Sequence, residues 1–316
     1  MYDAIIIGAG TAGLSAARVL DTVGKDYIVF DMKQEIGYPI RSTGGIARYF
    51  VEKLGMPYDP SIISASIRTI AIGDDHDNYA TLEFDHDVGY VYDYPAMQKY
   101  MAKGLNVQLN TRVTKIMYNF NHAVGVVADG KLIESKYVIV ATGPRSPFIP
   151  NDDYIMPDYD VHVGYEETRY VSKPEYDLYL WFSKYAPKGY VWDFPDSGGK
   201  RRIGLGIPLS EHQDLKKNLA EFTKLHPRLD GKVDHTIAHQ IPTARPPKHV
   251  VFHNVMYVGD AARTCFASTG GGLQGAFWSG KVAGISVLMN NPLHYQDVWN
   301  RDIYPLLMRH YRIKKM

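Results

Sequence analysis

The fold of this chain is decided by the stretch Tyr2-Asp3-Ala4-Ile5-Ile6-Ile7-Gly8-Ala9-Gly10-Thr11-Ala12-Gly13. Its first half is a short apolar run, which is typical of a buried parallel strand. The small residues at positions 14–20 predict a helix, and residues 26–30 predict a second strand that ends at Asp31. A strand, three glycines, a helix, a strand and an acidic residue in this order indicate a β-α-β unit that binds a dinucleotide.

The glycines and the acidic residue of this unit have separate expected roles. Gly8 permits a tight turn, Gly10 lets the backbone approach a pyrophosphate, and Gly13 allows the helix to pack closely on the strand. The N-terminus of the helix offers unpaired N–H groups and a partial positive charge to the phosphates. Asp31 is placed to accept hydrogen bonds from a ribose, and its charge would repel a 2′-phosphate.

A second glycine-rich segment lies near the other end of the chain. It reads Val258-Gly259-Asp260-Ala261-Ala262 and then Ser268-Thr269-Gly270-Gly271-Gly272-Leu273. A domain that binds only NAD has no need of a second glycine site so far from the first. Two such segments at opposite ends of the chain indicate one long dinucleotide held at both ends, which predicts FAD.

Composition narrows the class of protein. The 316 residues have a formal net charge of +1 and a pI near 7.8, which gives no field for steering nucleic acid. Cys265 is the only cysteine, so a disulfide or CxxC pair within the chain is excluded, and an inert buried thiol is favoured over a redox role. The apolar start lacks a preceding basic segment and contains Arg18, which excludes a signal peptide and a membrane span. We therefore expect a cytoplasmic protein.

Two histidines at metal-ligand spacing have a simpler interpretation. His235 and His239 are four residues apart, but Val233, Ile237 and Ile241 predict a strand at this place. No glutamate completes an HExxH motif, so we expect no metal site.

The hydrophobic pattern predicts an α/β fold, α+β overall. A Rossmann-like FAD/NAD(P)-binding domain is interleaved with a mostly antiparallel β domain for the substrate. The predicted boundaries are 1–60, 93–155 and 242–290 for the FAD-binding domain, 61–92 and 156–241 for the substrate domain, and 291–316 for a C-terminal helical tail. The predicted elements include helices at 95–103, at 211–226 and from 272, a three-stranded meander over 111–135, and separate strands at 137–143, 235–241 and 255–258.

Four segments carry a resemblance to known flavoproteins. GAGTAG at 8–13, VIVATG at 138–143 and GDAA at 259–262 resemble the FAD segments of group A flavoproteins, which have the p-hydroxybenzoate hydroxylase type of fold. Residues 187–195, PKGYVWDFP, match the P-x-x-Y-x-W-x-F-P motif of geranylgeranyl reductases. The chain thus resembles the geranylgeranyl reductase family from residue 2 to about residue 290, and RIGLG at 202–206 and EIGYPIR at 35–41 also fit.

The resemblance implies an FAD-dependent oxidoreductase that reduces C=C bonds of an isoprenoid or prenylated lipid by hydride transfer from the reduced flavin. It further implies an electron donor, either NAD(P)H or a ferredoxin-like protein. The cofactor-binding residues implied are Gly8, Gly10, Thr11, Ala12, Gly13, Asp31, Met32, Arg41, Ser42, Val113, Thr142, Gly143, Gly259, Asp260, Gly271, Gly272 and Leu273.

By their positions in the motifs, several of these residues have specific implied roles. Arg41 and Ser42 would lie along the inner edge of the flavin, Val113 beside the adenine, and Asp260 at the ribityl chain. The amides of residues 271–273 would face the N1–C2=O edge of the isoalloxazine. Tyr190 and Trp192, two residues apart on a strand, would face the same side and form an aromatic wall for a polyene.

The chain departs from the family pattern at four places, one of which is near Asp93, where an arginine often found at the start of the middle helix is replaced. Phe266-Ala267 stand where the related pattern usually has an Asn-Pro or Pro-Pro pair, and Ser42 stands where the family often has a cysteine. The chain ends at Met316, short of typical family members.

Alternatives remain open for function and for two of these features. A group A monooxygenase or halogenase would use the same fold, although residues 141–144, ATGP, replace the D-G motif of the hydroxylases. A non-catalytic prenyl or lipid binder would also fit and would bind FAD weakly or not at all. Tyr190 and Trp192 could be core aromatics, and the basic tail at 309–315 could either touch anionic lipid headgroups at the inner face of the membrane or be a solvated helix end.

Overall fold

The computed structural model describes residues 1–76, 78–172 and 174–316. The strands are β1 (Tyr2–Ile7), β2 (Tyr27–Phe30), β3 (Gly45–Ala47), β4 (Ile63–Ile67), β5 (Thr69–Gly73), β6 (Tyr79–Glu83), β7 (Gly89–Tyr92), β8 (Val107–Gln108), β9 (Val113–Asn119), β10 (His122–Ala128), β11 (Lys131–Val140), β12 (Val161–Tyr170), β13 (Leu178–Trp181), β14 (Tyr190–Pro195), β15 (Lys200–Pro208), β16 (Lys232–Pro242), β17 (Val251–Phe252) and β18 (Val255–Tyr257). The α-helices are α1 (Thr11–Thr22), α2 (Arg48–Leu54), α3 (Tyr94–Ala102), α4 (Leu215–Leu225), α5 (Leu273–Leu288), α6 (Leu293–Val298) and α7 (Tyr304–Lys315).

The chain forms two compact units. The first comprises Met1–Tyr38, Gln98–Met156 and Pro242–Met316, and the second comprises Pro39–Met97 and Pro157–Ile241. Each unit is built from separated stretches of the chain. The α/β class predicted from the sequence is confirmed.

The boundaries of the units differ from the predicted domain boundaries. Residues 39–60 and 93–97, assigned from the sequence to the FAD-binding domain, lie in the second unit, and residues 291–316 lie in the first. Strand pairing explains the first difference, because β3 pairs with β7, opposing Gly45 to Val91, in a three-stranded sheet with β4. Such long-range pairing leaves no mark in the local hydrophobic pattern.

A parallel sheet forms the core of the first unit. Its strand order is β18-β11-β1-β2-β8, with β17 antiparallel to β18 at the edge. Ile5 lies in register with Val138 on one side and Ile28 on the other, and all three are buried. Because parallel strands end at the same edge of the sheet, the residues that follow β1 and β11 meet there.

Helices α1 and α5 approach each other closely because small residues line their contact. A Cβ added to Gly280 would lie 2.0 Å from the carbonyl oxygen of Ala12, and one added to Gly284 would lie 2.8 Å from that of Ala16. The Ser15 hydroxyl donates a hydrogen bond of 2.9 Å to the carbonyl of Phe277. The two glycine-rich segments of the sequence are brought together by this helix pair.

The predicted meander is confirmed, but its last strand is longer than expected. Strand β11 pairs antiparallel with β10, as at Ile133 opposite Val126, and then continues as a parallel neighbour of β1. The sequence predicts two elements here, a meander strand and a separate strand at 137–143. That division is wrong because neither glycine nor proline interrupts residues 131–140, so one extended strand serves both pairings.

A mostly antiparallel sheet forms the second unit. Its order is β16-β12-β15-β14-β13-β5-β6, and only the β13–β5 pair is parallel among the pairings described. Helix α4 packs on one face through Leu219 and Phe222, which are fully buried with Trp181 and Leu205. The predicted strand at 235–241 and the predicted helix at 211–226 correspond to β16 and α4.

The end of the chain is helical and belongs to the first unit. Helices α6 and α7 are joined by a π-helical turn at Trp299–Ile303, and Trp299 and Leu307 are buried. Among the helices of the described residues, none combines the length and the apolar character that crossing a membrane requires.

Candidate functional site

The three glycines after β1 differ in what surrounds them. Gly8 has a φ of 109°, and an added Cβ would lie 2.4 Å from the carbonyl oxygen of Ala141. At Gly13 an added Cβ would lie 1.9 Å from the carbonyl oxygen of Gly8, whereas at Gly10 nothing lies within 4 Å. The packing of the chain therefore leaves no room for a side chain at Gly8 or Gly13, whereas Gly10 faces open space.

The N-terminus of α1 is available to an anion. Gly10 is the N-cap residue and supplies no side chain to cap the helix. The first N–H groups of a helix have no partner within the helix, and they carry the positive end of its dipole. Gly10 directly precedes these groups, and a Cβ added to it would meet nothing within 4 Å.

Asp31, at the end of β2, is buried and forms a hydrogen bond with the loop that contains Gly8 and Gly10. One carboxylate oxygen accepts a hydrogen bond of 2.7 Å from the Ala9 N–H, and the other accepts one of 2.9 Å from the Lys33 N–H. Each oxygen of a carboxylate can accept a second hydrogen bond. Asp31 can thus hold the loop and still accept from a sugar hydroxyl. Met32 next to it is exposed, and Val113 is buried at the start of β9.

The residues after β11 line the same edge of the sheet. The Thr142 hydroxyl oxygen is buried and has no hydrogen-bond partner among the described residues. Gly143 has a φ of 84°, and nothing lies within 4 Å of the place where its Cβ would be. Because buried hydroxyl groups are almost always hydrogen-bonded, Thr142 indicates a ligand or a water at this position.

The second glycine-rich segment begins with a 3₁₀ turn at Gly259–Ala262. Gly259 has a φ of 60°, and its Cβ would lie 2.8 Å from the Cβ of Ala12 at the start of α1. The Asp260 carboxylate oxygen Oδ1 lies 3.6 Å from the Cβ position of Gly272, the N-cap residue of α5. The two glycine-rich segments therefore adjoin within the first unit.

Asp260 has an unusual environment for an acid. Burial raises the pKa of its carboxyl group to about 6. No hydrogen bond to this carboxyl group is formed by the described residues. A carboxyl group without a cation beside it is suited to accept hydrogen bonds from neutral hydroxyl groups. Burial likewise raises the pKa of the neighbouring Cys265 thiol well above its usual value, which disfavours the reactive thiolate.

The loop between the 3₁₀ turn at Gly259–Ala262 and helix α5 is contacted by helix α7. The imidazole of His310, on α7, stacks on the ring of Phe266, and its Nδ1 lies 2.6 Å from the Ser268 hydroxyl oxygen. The Phe266 carbonyl accepts hydrogen bonds from the N–H groups of Thr269 and Gly270. The sequence did not indicate a role for His310, since the pattern of the tail shows only its basic character.

In the second unit, Tyr190 and Trp192 lie on one face of β14, as their spacing predicts. Their ring centroids are 5.8 Å apart. Trp192 is buried, and its indole lies over glycines on the neighbouring strands. A Cβ on Gly204 would come within 2.6 Å of the ring, and one on Gly206 or Gly164 would lie 3.4 or 3.5 Å from it. These glycines provide the flat surface on which the indole rests.

Two ionisable groups share this face. Glu166 on β12 is buried, and it accepts a hydrogen bond of 2.7 Å from the Trp192 Nε1–H. His239 on β16 lies beside Gly164, and its Nδ1 is buried without a hydrogen-bond partner among the described residues. Burial, reinforced by the nearby charge of Arg41, lowers the pKa of His239 to about 4, so its imidazole is neutral at pH 7.

The remaining predicted residues of the second unit precede β3. Arg41 is exposed, and the Ser42 hydroxyl accepts a hydrogen bond of 3.1 Å from the Gly44 N–H. Within the described part of the chain, no group of three or more His, Cys, Asp or Glu side chains is arranged to hold a metal ion. His235 is instead close to the Thr168 hydroxyl, with its Nε2 at 3.2 Å.

Comparison with known proteins gives the family. The geranylgeranyl reductase catalytic domain matches residues 158–241, and the pyridine nucleotide-disulphide oxidoreductase model matches residues 2–168, more than half of the chain. A digeranylgeranylglycerophospholipid reductase of Methanoculleus marisnigri is 30% identical over 316 residues, which cover 89% of this chain and 75% of that protein. This chain belongs to the digeranylgeranylglycerophospholipid reductase family. The protein of that name from Methanocella arvoryzae is 29% identical, over 90% of this chain and 76% of its own length.

Membership of the digeranylgeranylglycerophospholipid reductase family confirms the resemblance predicted from the sequence. It also confirms an oxidoreductase, and it implies a flavin cofactor. A geranylgeranyl bacteriochlorophyll reductase-like protein of Thermoplasma acidophilum has the same fold, with a TM-score of 0.92, 23% identity, and coverage of 99% of this chain and 87% of that one. A triple mutant of the flavin-dependent brominase Bmp2 shares the fold less closely, with a TM-score of 0.69, 17% identity, and coverage of 99% of this chain and 84% of that one.

The predicted site residues of this reductase-family chain fall into two groups. Those in the first unit that the fold collects near the sheet edge and the N-termini of α1 and α5 are Gly8, Gly10, Thr11, Ala12, Gly13, Thr142, Gly143, Gly259, Asp260, Gly271, Gly272 and Leu273, with Asp31 bonded to the glycine loop. Those in the second unit are Arg41, Ser42, Tyr190 and Trp192. Nothing in the sequence indicates a role for Glu166, because acidic residues within a strand carry no functional signal of their own.

Proposed function

We propose that this protein binds FAD and uses it to reduce carbon–carbon double bonds in a geranylgeranyl-type lipid. The observation that supports the proposal best is a group of unsatisfied positions in the first unit. Gly10 faces open space, the Thr142 hydroxyl is buried without a partner, and the Asp260 carboxyl group lacks a hydrogen bond from any described residue. An extended ligand with phosphates and hydroxyl groups would satisfy all three.

The first glycine-rich segment is suited to the pyrophosphate of FAD. The N–H groups of Thr11, Ala12 and Gly13 would donate to phosphate oxygens, with the dipole of α1 favouring their negative charge. Asp31 would accept from the adenosine ribose while retaining its bond to Ala9. Val113 would contact the adenine through its backbone, Met32 would lie beside the ribose, and Thr142 and Gly143 would contact the ADP half.

The second glycine-rich segment is suited to the other half of FAD. Asp260 would accept hydrogen bonds from the ribityl hydroxyl groups. The amides of residues 271–273, at the N-terminus of the 16-residue helix α5, would favour negative charge at the N1–C2=O edge of the ring. Arg41 and Ser42 stay proposed flavin-binding residues, as the family resemblance implies. When bound and reduced, FAD supplies the hydride for the reaction.

The second unit is suited to an apolar chain. Tyr190 and Trp192 offer two aromatic rings on one face, and the glycines under Trp192 keep that face flat. An isolated alkene is a poor hydride acceptor, so the exclusion of water and the placement of the double bond must lower much of the barrier. We propose that these aromatic residues hold the isoprenoid chain in place.

The experiment is a spectroscopic titration of the purified protein. The protein is loaded with FAD, photoreduced without oxygen, and mixed with a geranylgeranyl lipid. Reoxidation of the flavin by the lipid, with a mass gain of two hydrogens per double bond reduced, is the expected result. Reoxidation by oxygen only, with an oxygenated or halogenated product, would establish the monooxygenase or halogenase alternative. If the protein cannot be loaded with FAD, the non-catalytic lipid binder would be the remaining alternative.

Electron supply and location complete the proposal. We propose NAD(P)H or a ferredoxin-like protein as the electron donor, and a cytoplasmic protein that contacts the inner face of the membrane peripherally. The basic end of α7 supports this contact through Arg309 and Arg312. Lys314 is not free for it, since its Nζ donates to the Thr243 carbonyl at 3.1 Å and lies 2.9 Å from the Thr243 hydroxyl oxygen. Sedimentation with vesicles that contain anionic lipid tests the contact.

A further inference from the structure

One buried oxygen atom joins two distant parts of the second unit. Oε2 of Glu166 accepts a hydrogen bond of 2.7 Å from the Trp192 indole N–H and one of 2.6 Å from the Thr43 hydroxyl. Glu166 lies on β12 and is only 2% exposed. Trp192 belongs to the aromatic motif, and Thr43 directly follows Arg41 and Ser42. The Glu166 carboxyl group thus connects the aromatic motif with the segment that directly follows Arg41 and Ser42.

Thr43 also interacts with a second side chain, that of Arg202. The guanidinium group of Arg202 donates hydrogen bonds to the carbonyls of Thr43 and of Tyr92, the latter at 3.0 Å. It also donates a hydrogen bond of 2.7 Å to the carboxylate of Asp196. Thr43 therefore has both its hydroxyl and its carbonyl fixed, so that the loop after Ser42 has little freedom.

The Trp192 end depends on Glu166 in a different way. The indole rests on a surface made by Gly164, Gly204 and Gly206, which have no side chains to stop it from sliding or turning. The contact with Tyr190 is edge-on, with an interplanar angle of 62°. The bond from Nε1 to Glu166 is the directional contact that defines the orientation of the ring.

We propose that Glu166 is a positioning residue, which sets the plane of the Trp192 indole and couples it to the loop at residues 41–44. The inference rests on the proposed function, in which Trp192 forms part of the wall for the isoprenoid chain. The nearby guanidinium group of Arg202 on β15 donates no hydrogen bond to this carboxyl group in the described structure. The property of Glu166 that matters is its ability to accept hydrogen bonds from Trp192 and Thr43, rather than its charge.

The two substitutions that separate these properties are Glu166→Gln and Glu166→Leu. Glutamine keeps an acceptor oxygen and removes the charge, whereas leucine keeps a similar volume and removes both. Thr168→Val is the matched control, because Thr168 lies on the same face of β12 and contacts His235 rather than Trp192. The readout is the indole N–H region of the ¹H–¹⁵N spectrum, in which the chain has four tryptophans and Trp192→Phe identifies the resonance of Trp192.

We expect the Trp192 resonance to stay close to its original position in Glu166→Gln and Thr168→Val and to move upfield in Glu166→Leu. In the FAD-loaded enzyme, we expect KM for the lipid to rise about tenfold in Glu166→Leu and less than about threefold in the other two variants, with an unchanged flavin spectrum. A Trp192 resonance that does not move in Glu166→Leu would overturn the proposal, as would an equal rise in KM for the glutamine and leucine variants. If the leucine variant does not fold, Glu166→Asp, whose side chain is too short to reach Nε1, replaces it.

The spectrum requires neither lipid nor turnover. A failure of the proposed function would appear as wild-type protein that does not reduce the lipid, while the indole resonances would still report whether Glu166 holds Trp192. If the present inference is wrong, the Trp192 indole resonance will stay unchanged in Glu166→Leu although the wild-type enzyme reduces the lipid.

Discussion

The imidazole of His310 lies flat against the ring of Phe266, with ring centroids 3.9 Å apart and planes 12° from parallel. The Nδ1 atom of the same imidazole lies 2.6 Å from the Ser268 hydroxyl oxygen. Phe266 stands where the related pattern usually has an asparagine or proline. Helix α7 thus supports the loop that leads to the glycines at the N-terminus of α5.

Removal of this support should weaken FAD binding. In His310→Ala the loop at 265–271 loses a stacked ring and a hydrogen bond, and we expect the Kd for FAD to rise about tenfold, equivalent to about 1.4 kcal/mol. Flavin fluorescence quenching measures the Kd. His310→Phe keeps the stack without the hydrogen bond and should have an intermediate effect, so equal affinity in all three proteins would contradict the prediction.

The three glycines of the first segment should respond differently to alanine. Gly10→Ala should leave the free energy of unfolding within about 1 kcal/mol of the original, because its Cβ would meet nothing within 4 Å, yet abolish FAD binding by filling the space before α1. Gly13→Ala should lower the free energy of unfolding by about 2 kcal/mol or more, since its Cβ would lie 1.9 Å from a carbonyl oxygen. Denaturant unfolding and visible absorbance test both. Normal FAD binding by Gly10→Ala would contradict the proposed pyrophosphate site.

Asp260 should make FAD binding dependent on pH. Burial raises the pKa of this carboxyl group to about 6 in the free protein, and the ionised form is the better acceptor for a hydroxyl group. Affinity for FAD should therefore increase as the pH rises from 5 to 7. Asp260→Asn should show lower affinity at pH 7 and a flatter profile. A profile identical to that of the wild type would assign the pH dependence to another group.

His239 should make the second unit less stable in mild acid. Its pKa is lowered to about 4 by burial and then by Arg41, so the unfolded chain, with an ordinary pKa of 6.5, binds a proton that the folded protein does not. The stability contributed by the neutral imidazole is complete above pH 6.5 and is lost as the pH falls toward 4. Between pH 7 and pH 5 the loss is about 2 kcal/mol.

The variant His239→Gln isolates this contribution, because the amide does not titrate. The free energy of unfolding of the wild type should fall more steeply between pH 7 and pH 5 than that of the variant, as measured by denaturant unfolding at each pH. Parallel profiles for the two proteins would show that His239 is not buried in its neutral form.

The β-α-β unit and the aromatic motif could be predicted because their constraints are local. Gly8 needs a positive φ and Gly13 a missing Cβ, and both needs arise within a few residues of the chain. The turn at Asp129-Gly130 has positive φ at both residues, which the sequence signals through its residue types. Alternation along β14 placed Tyr190 and Trp192 on one face without knowledge of any other strand.

Tertiary structure alone decided which distant groups meet these residues. The pairing of β3 with β7, the bond between Glu166 and Trp192, and the stack of His310 on Phe266 each join positions whose local sequences carry no sign of the partner. The physical reason is that strand order and helix packing, set by burial of the whole core, determine which side chains become neighbours. The sequence by itself therefore determined the cofactor class and the segments expected to bind it, whereas the fold decided what holds those segments in place.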